Sequence, residues 1–240
     1  MGRCGLGFLR LLITMHHIYC FSGLGADGRI FKQLVLHDAK LHFIEWTTPP
    51  PGQTLAQYAQ SLTTQISHPQ VVLLGVSFGG MLVTEITRLG QAGMLPFAIK
   101  SAIIVSSCES RRELPWLLRI AGRLQLHRLV PYSMVLGLNG LNRFLFDPKT
   151  KAEEMYLKRM MLKDTQLLLI KRCVHMILTW QYAQPPKAVV HVHGTADRLL
   201  LMRGLRVDHA VKGGGHFMIW NRAGEISDVV NNVLGAAAAP

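Results

Sequence analysis

The chain has 240 residues, of which 49% are hydrophobic and 17% charged. This length suffices for one large buried core, and the composition excludes collagen-like, low-complexity and disordered classes. Lys and Arg total 26 against 14 for Asp and Glu, a formal net charge of +12, which raises nucleic acid or an anionic surface as partners. No nucleic-acid-binding motif accompanies the charge, so we expect no nucleic-acid partner.

Residues 1–14 resemble a secretory signal only superficially, because Arg10 interrupts the apolar run and no small-residue cleavage site follows it. Met15 is therefore a candidate natural start.

The longest apolar stretch, 167–180, contains two basic residues and is too short to span a bilayer, so we expect no integral membrane association. The four cysteines form no CxxC pair and have no zinc-ligand spacing, so we expect no disulfide framework, no metal and a cytoplasmic location.

Short apolar runs that are typical of strands alternate with helical patterns along most of the chain. This alternation predicts an α/β fold with a mostly parallel, doubly wound sheet that has helices on both faces. The predicted strands begin at His16, Leu41, Val71, Ala98, Ala188 and Leu205. The predicted helices span Asp27–Leu36, Leu55–Ile66, Phe78–Leu89 and Arg222–Leu234.

From about 109 to 186 no strand-like run appears. Helical patterns cover Arg111–Leu126, Lys149–Lys163 and Thr165–Trp180, which predicts a helical cap inserted into a single domain whose core spans about 15–108 and 187–235. Between Arg111 and Arg172 there are 13 basic and 5 acidic residues, a balance of +8 out of +12. A solvated helix face explains them most simply, and a weak contact with an anionic surface or an acyl carrier is the alternative.

The segment Gly75-Val76-Ser77-Phe78-Gly79 follows a predicted strand and opens a predicted helix. A serine on such a sharp turn needs small residues two positions before and after it, and Gly75, Gly79 and Gly80 supply that room. The turn also directs the backbone N–H of Phe78, at a helix N-terminus, towards a developing oxyanion. The pattern predicts that Ser77 is a nucleophile.

A serine nucleophile needs a general base, and the base needs an acid that orients it. Asp197 follows the strand from Ala188, and His216 follows the last predicted strand in a glycine-rich loop. The carboxyl ends of parallel strands share one edge, so we expect Ser77, Asp197 and His216 to meet there. Only 19 residues separate the acid from the base, so Asp208 is a reserve candidate for the acid.

These motifs resemble those of the α/β-hydrolase family, and the resemblance covers the chain from about Met15 onward. It rests on FSGLG at 21–25, GVSFGG at 75–80, HGTADR at 193–198 and GGGHF at 213–217. The order Ser, Asp, His is that of this family. The resemblance implies that the loop containing Gly23 supplies a second oxyanion donor, the N–H of Leu24. A serine at position 77 argues against the dehalogenase and epoxide-hydrolase branches, which have Asp there.

The residues therefore predict a serine hydrolase that cleaves a carboxylic ester of a hydrophobic acyl group without a cofactor, with an acyl thioester as the alternative substrate. Apolar residues of the predicted cap pack its helices, and some are candidates to line an acyl pocket. A second class of function is a hydrolase-like protein that binds a ligand or partner without turnover.

A third class is dinucleotide binding, because residues 23–28 read GLGADG, a literal GxGxxG, and Glu45 follows 22 residues after Gly23. Against it, Asp27 would repel a pyrophosphate.

His191 and His193 lie two apart on a predicted strand and could suggest a metal pair, but no third ligand has matching spacing. Strand-end histidines, one of them bonded to the backbone, are the simpler interpretation.

Overall fold

The structure, a computed structural model, describes residues 15–125, 150–155, 167–181 and 184–238. Six strands form one sheet in the order β2-β1-β3-β4-β5-β6, and every neighbouring pair is parallel. This confirms the predicted α/β fold. The strands are β1 His16–Phe21, β2 Ala39–Phe43, β3 Gln70–Val76, β4 Ala98–Val105, β5 Val189–Gly194 and β6 His209–Val211.

Helices connect and flank the strands. They are α1 Leu55–Leu62, α2 Phe78–Gln91, α3 Trp116–Arg123, α4 Leu167–Leu178, α5 Met218–Asn221 and α6 Ala223–Ala238. Residues 151–155 are also helical. Short 3-10 turns occur at Gly28–Phe31, Thr63–Gln65 and Arg111–Glu113. Across the described part of the chain, no helix is long and apolar enough to cross a membrane.

The sheet buries both of its faces, because successive side chains of a strand point in opposite directions. In β1, Tyr19 and Phe21 join the core formed with α1, α2 and α4. Ile18 and Cys20 join a second core formed with α5 and α6. Two apolar layers therefore hold the strands rigidly between helices.

The strand order fixes where a site forms. β1 lies between β2 and β3, so the connections that leave β1 and β3 diverge to opposite sides of the sheet. Such a switch point opens a crevice at the carboxyl ends of the two strands. The loop that begins at Ser22 and the turn at Ser77 both lie there.

The predicted helix Asp27–Leu36 is wrong. Asp27 caps only the 3-10 turn Gly28–Phe31, by accepting a hydrogen bond from the backbone N–H of Arg29. Further along, side chains of α6 replace helical hydrogen bonds, because the N–H of Val35 donates to Ser227 Oγ at 3.0 Å. Hydrogen bonds to α6 therefore take the place of helical hydrogen bonds in this segment. The GLGADG loop is followed by no α-helix whose N-terminus could hold a pyrophosphate.

Three other boundaries differ from the prediction. The last strand was expected from Leu205, but β6 is only three residues long, because the chain first turns with the N–H of Leu205 bonded to the carbonyl of Met202. Asp208 thus precedes β6. The strand predicted from Leu41 to Trp46 is β2, Ala39–Phe43, and α1 ends at Leu62 instead of Ile66.

A hydrogen bond attaches the region predicted as a cap to the core. Trp180 Nε1 donates to the buried Glu85 Oε1 of α2 at 2.6 Å, and Arg88 of the same helix holds the other oxygen of Glu85 in an ion pair at 2.6 Å. A Cβ on Gly122 of α3 would overlap the carbonyl of Leu178 in α4, so these helices touch backbone to backbone.

The predicted helix Arg111–Leu126 is instead a 3-10 turn followed by α3, and Thr165–Trp180 corresponds to α4. Most of the predicted helix Lys149–Lys163 lies outside the described residues. The single domain and the boundaries of the cap remain predictions.

Candidate active site

Ser77 occupies a sharp turn between β3 and α2. Its φ of 53° and ψ of −117° place it in a region that residues with a side chain rarely adopt. A Cβ on Gly75 would lie 2.5 Å from the carbonyl oxygen of Gly79, and a Cβ on Gly79 would overlap the carbonyls of Phe21 and Ser22. The strained turn therefore requires glycine at both positions.

Hydrogen bonds hold the Ser77 backbone on both sides. Its N–H donates to the carbonyl of Val105 at 3.0 Å, and its carbonyl accepts from Ser107 Oγ at 2.6 Å. A Cβ on Gly80 would collide with the Ser107 side chain, so this position also needs glycine. The neighbouring strand β4 thereby fixes the turn.

His216 lies in the loop after β6, next to Ser77. Its Nε2 is 3.0 Å from Ser77 Oγ, and its Nδ1 is 2.8 Å from Asp197 Oδ2. The loops that carry His216 and Asp197 meet where the N–H of Ala196 donates to the carbonyl of Gly214 at 2.9 Å. The structure thus aligns an acid, an imidazole and a hydroxyl in one line.

Asp197 is only 3% exposed, yet its surroundings favour the carboxylate. Its Oδ1 accepts hydrogen bonds from the backbone N–H groups of Leu199 and Leu200, each at 2.9 Å. Burial alone would raise the pKa of Asp197, but the charge of His216 and the hydrogen bonds from His216 and Leu200 outweigh burial and lower it. Asp197 therefore stays ionised and stabilises a protonated His216.

Asp208 is held elsewhere. Its Oδ2 accepts from the backbone N–H of His191 at 2.8 Å, at the start of β5 and β6. The geometry therefore favours Asp197 over Asp208 as the acid partner of His216.

The loop after β1 lies against Ser77. A Cβ on Gly23 would be 3.5 Å from Ser77 Cβ, so the backbone of Gly23 and Leu24 adjoins the nucleophile. Phe78 begins α2 on the other side, so its backbone belongs to the free N-terminus of that helix. Both predicted oxyanion donors thus come from backbone next to Ser77.

Trp46 holds this loop in place and was missed by the sequence reasoning. Its Nε1 lies 2.6 Å from Ser22 Oγ and 2.9 Å from the carbonyl of Ala26, and its ring stacks on Phe78 at 5.5 Å. One side chain therefore contacts both walls of the crevice. No local pattern marks Trp46, because Ser22, Ala26 and Phe78 are 20 or more residues away in the sequence.

A line of buried groups continues behind Asp197. His193 Nε2 lies 3.5 Å from Asp197 Oδ2 and 2.8 Å from the carbonyl oxygen of Leu200. His193 Nδ1 is 3.1 Å from His191 Nε2, and His191 Nδ1 is 3.6 Å from Glu109 Oε1. Burial is the main cause that lowers the pKa of His193, to about 4, so this ring is neutral at pH 7.

Comparison with solved structures identifies many similar folds. A type II thioesterase, BorB from the borrelidin biosynthetic cluster, superposes with a TM-score of 0.66 at 16% identity, covering 92% of this chain and 93% of that chain. A protein described as a non-heme bromoperoxidase, BpoC from Mycobacterium tuberculosis H37Rv, gives 0.68 at 14% identity, covering 93% of both chains. An esterase from Thermogutta terrifontis gives 0.66 at 12% identity, covering 94% and 92%.

At these identities the similarity shows the fold alone, and the three relatives carry different activities in their names. A search of curated proteins found no significant match. A model of the alpha/beta hydrolase family matches residues 7–229. Sequence, sheet topology and family model agree, and the chain belongs to the alpha/beta hydrolase family.

Proposed function

We propose that the protein is a serine hydrolase that cleaves a carboxylic ester of a hydrophobic acyl group through an acyl-enzyme intermediate. The observation that carries this proposal is the continuous line from Asp197 through His216 to Ser77, with contacts of 2.8 and 3.0 Å. Heavy-atom separations in this range permit direct proton transfer between a nucleophile and its base.

In the first half-reaction, Ser77 Oγ attacks the ester carbonyl carbon while His216 Nε2 accepts the hydroxyl proton. The negative charge that develops on the carbonyl oxygen is stabilised by the N–H groups of Leu24 and Phe78. His216 then gives its proton to the leaving alcohol oxygen as the C–O bond breaks, and the acyl group remains on Ser77.

In the second half-reaction, water gives a proton to His216 and attacks the acyl carbon. The bond to Ser77 Oγ breaks, the proton returns to that oxygen, and the carboxylic acid leaves. Asp197 remains ionised throughout and stabilises the imidazolium.

An acyl thioester is the second candidate substrate, and one surface favours it. A cleft of about 390 Å³ beside α3 is lined by four arginines together with Trp116, Ile120 and Gln181; the arginines are Arg111, Arg112, Arg119 and Arg123. Acyl carriers are anionic, and a basic cleft attracts them. BorB, a structural relative, is named as a thioesterase.

The test is intact-mass analysis after exposure to a fluorophosphonate probe. We expect one adduct on the wild type and on Ser61→Ala, which changes an exposed serine of α1, and none on Ser77→Ala. A folded wild type that takes no adduct would contradict an activated serine and favour the binding-protein alternative.

Hydrolysis rates then separate the two substrates. The rates of p-nitrophenyl esters should be insensitive to salt, because these substrates carry no net charge. Affinity for a carrier-linked thioester should fall as salt rises if the arginine cleft binds the carrier.

A further inference from the structure

Three histidines from separate segments meet near the amino end of the sheet, at the edge opposite Ser77. His17 is on β1, His42 is on β2, and His68 lies just before β3; together they form the histidine cluster. One ring nitrogen from each lies within 4.8 Å of the others, and His17 Nδ1 is 3.0 Å from His42 Nε2. All three side chains are half-buried.

We propose that the histidine cluster binds one divalent transition-metal ion of the Zn²⁺ class, with water completing the coordination. Neutral imidazole is a preferred ligand of such ions. Zinc–nitrogen bonds of about 2.0–2.1 Å place two ligand nitrogens of a tetrahedral site about 3.3 Å apart. The three nitrogens lie within 4.8 Å of one another, so ring rotations without backbone movement are needed to bring them around one ion.

The His68 ring must make one of these rotations. The His68 ring stacks on His17, with centroids 3.5 Å apart and planes inclined by 17°. Stacked rings direct their lone pairs nearly parallel, so metal binding requires the His68 ring to tilt off His17. The two rings are side chains on different segments, and the tilt leaves the sheet pairing unchanged.

A buried tyrosine supports His68 as a ligand. Tyr19 OH lies 2.7 Å from His68 Nδ1, 3.0 Å from the N–H of Ser67 and 3.1 Å from Ser67 Oγ. Tyr19 OH can accept a hydrogen bond from the His68 Nδ1–H while donating its own to Ser67 Oγ, which leaves His68 Nε2 as the nitrogen that binds the metal. Metal-bound histidines commonly have such a partner on their second nitrogen.

Access to the histidine cluster also fits. A cleft of about 300 Å³, lined by His17 and His68 among others, provides an entry path. No local sequence pattern marks this site, because its three histidines are about 25 residues apart in the chain.

The experiment uses the protein without a polyhistidine tag, since a tag would bind the same ions. Zn²⁺ affinity is measured by competition with a chromophoric chelator, and Co²⁺ is added separately to record its visible spectrum. We expect one Zn²⁺ per chain, a tetrahedral Co²⁺ spectrum and a Zn²⁺-dependent rise in Tm for the wild type.

The variants locate the ion. His42→Gln and His68→Gln should each weaken Zn²⁺ binding by more than about tenfold, and Tyr19→Phe by about 10–100-fold, the usual effect of losing a second-sphere partner. The control His37→Gln changes an exposed histidine outside the cluster and should bind as the wild type does. Circular dichroism confirms that each variant is folded.

Absence of Zn²⁺ binding to the wild type would overturn the proposal. Equal binding by the wild type and the two ligand variants would also overturn it. A loss of binding in His216→Asn, with no loss in His42→Gln, would assign the ion to the active site and equally refute the cluster. None of these results depends on whether the protein hydrolyses esters.

Discussion

His193 Nε2 lies 2.8 Å from the carbonyl oxygen of Leu200, and this contact determines which ring nitrogen carries the proton. A carbonyl oxygen only accepts, so Nε2 of the neutral ring must be the donor. Nδ1 is then an acceptor, and His191 Nε2, 3.1 Å away, donates to it. His191 Nδ1 and Glu109 Oε1 face each other at 3.6 Å, beyond hydrogen-bonding distance, and neither atom has a hydrogen-bond partner among the described residues.

This arrangement predicts a dependence of stability on pH. An unfolded histidine takes up a proton near pH 6.5, whereas the pKa of folded His193 is about 4. Between these values the unfolded state binds more protons, so the free energy of unfolding falls as pH is lowered from 6.5 to 4. The contribution of His193 to this fall is at most about 3 kcal/mol.

Urea unfolding of the wild type and His193→Gln at pH 7 and pH 5 checks this prediction. Gln keeps an N–H donor for Leu200 but does not titrate, so its loss of stability at pH 5 should be smaller. His17 and His42 contribute in the same direction in both proteins, so the difference between the two proteins isolates His193. Parallel pH dependences would show that His193 is not the titrating group.

Two acid variants separate the candidates for the partner of His216. Asp197→Asn should lower kcat for ester hydrolysis by about 10⁴-fold, because the amide favours the wrong His216 tautomer. Asp208→Asn should retain near wild-type kcat, since its contact is the N–H of His191. Steady-state kinetics on one p-nitrophenyl ester checks both, and a larger effect at Asp208 would reverse the assignment.

Trp46→Phe should act on the turnover step. The change keeps the aromatic ring against Phe78 but removes the N–H that bonds Ser22 and Ala26. A misplaced Leu24 N–H should lower kcat by up to about 10²-fold, the effect of losing one oxyanion donor, with KM little changed. Met94→Leu, at an exposed position that follows α2, is the control. A change in KM alone would mean that Trp46 contacts substrate instead.

Two glycine variants test the strained turn. Gly75→Ala places a Cβ 2.5 Å from the backbone of Gly79 and should lower the free energy of unfolding by about 1–3 kcal/mol, together with activity. Gly224→Ala, in α6 with nothing within 4 Å, should be neutral or stabilising by up to about 1 kcal/mol. Chemical denaturation measures both, and equal stabilities would contradict the crowding at Gly75.

The features that sequence predicts here are local ones. Ser77 and its glycines are recognisable because the strand, the turn and the helix are adjacent in the chain. The pattern around Asp27 misleads for the opposite reason, since Val35 bonds to Ser227, 192 residues away. Trp46 and the histidine cluster depend on contacts between distant segments, which one sequence does not reveal. The cytoplasmic location remains a prediction.

The backbone contact between Gly122 and Leu178 has a consequence for engineering. The chain leaves the core region after α3, and α4 packs with its Leu178 backbone against Gly122 of α3. Trp180, just after α4, then bonds to Glu85 of α2. Loop closure depends only weakly on loop length. We therefore expect that changes in the length of the stretch between α3 and α4 leave the strands and the line from Asp197 to Ser77 in place.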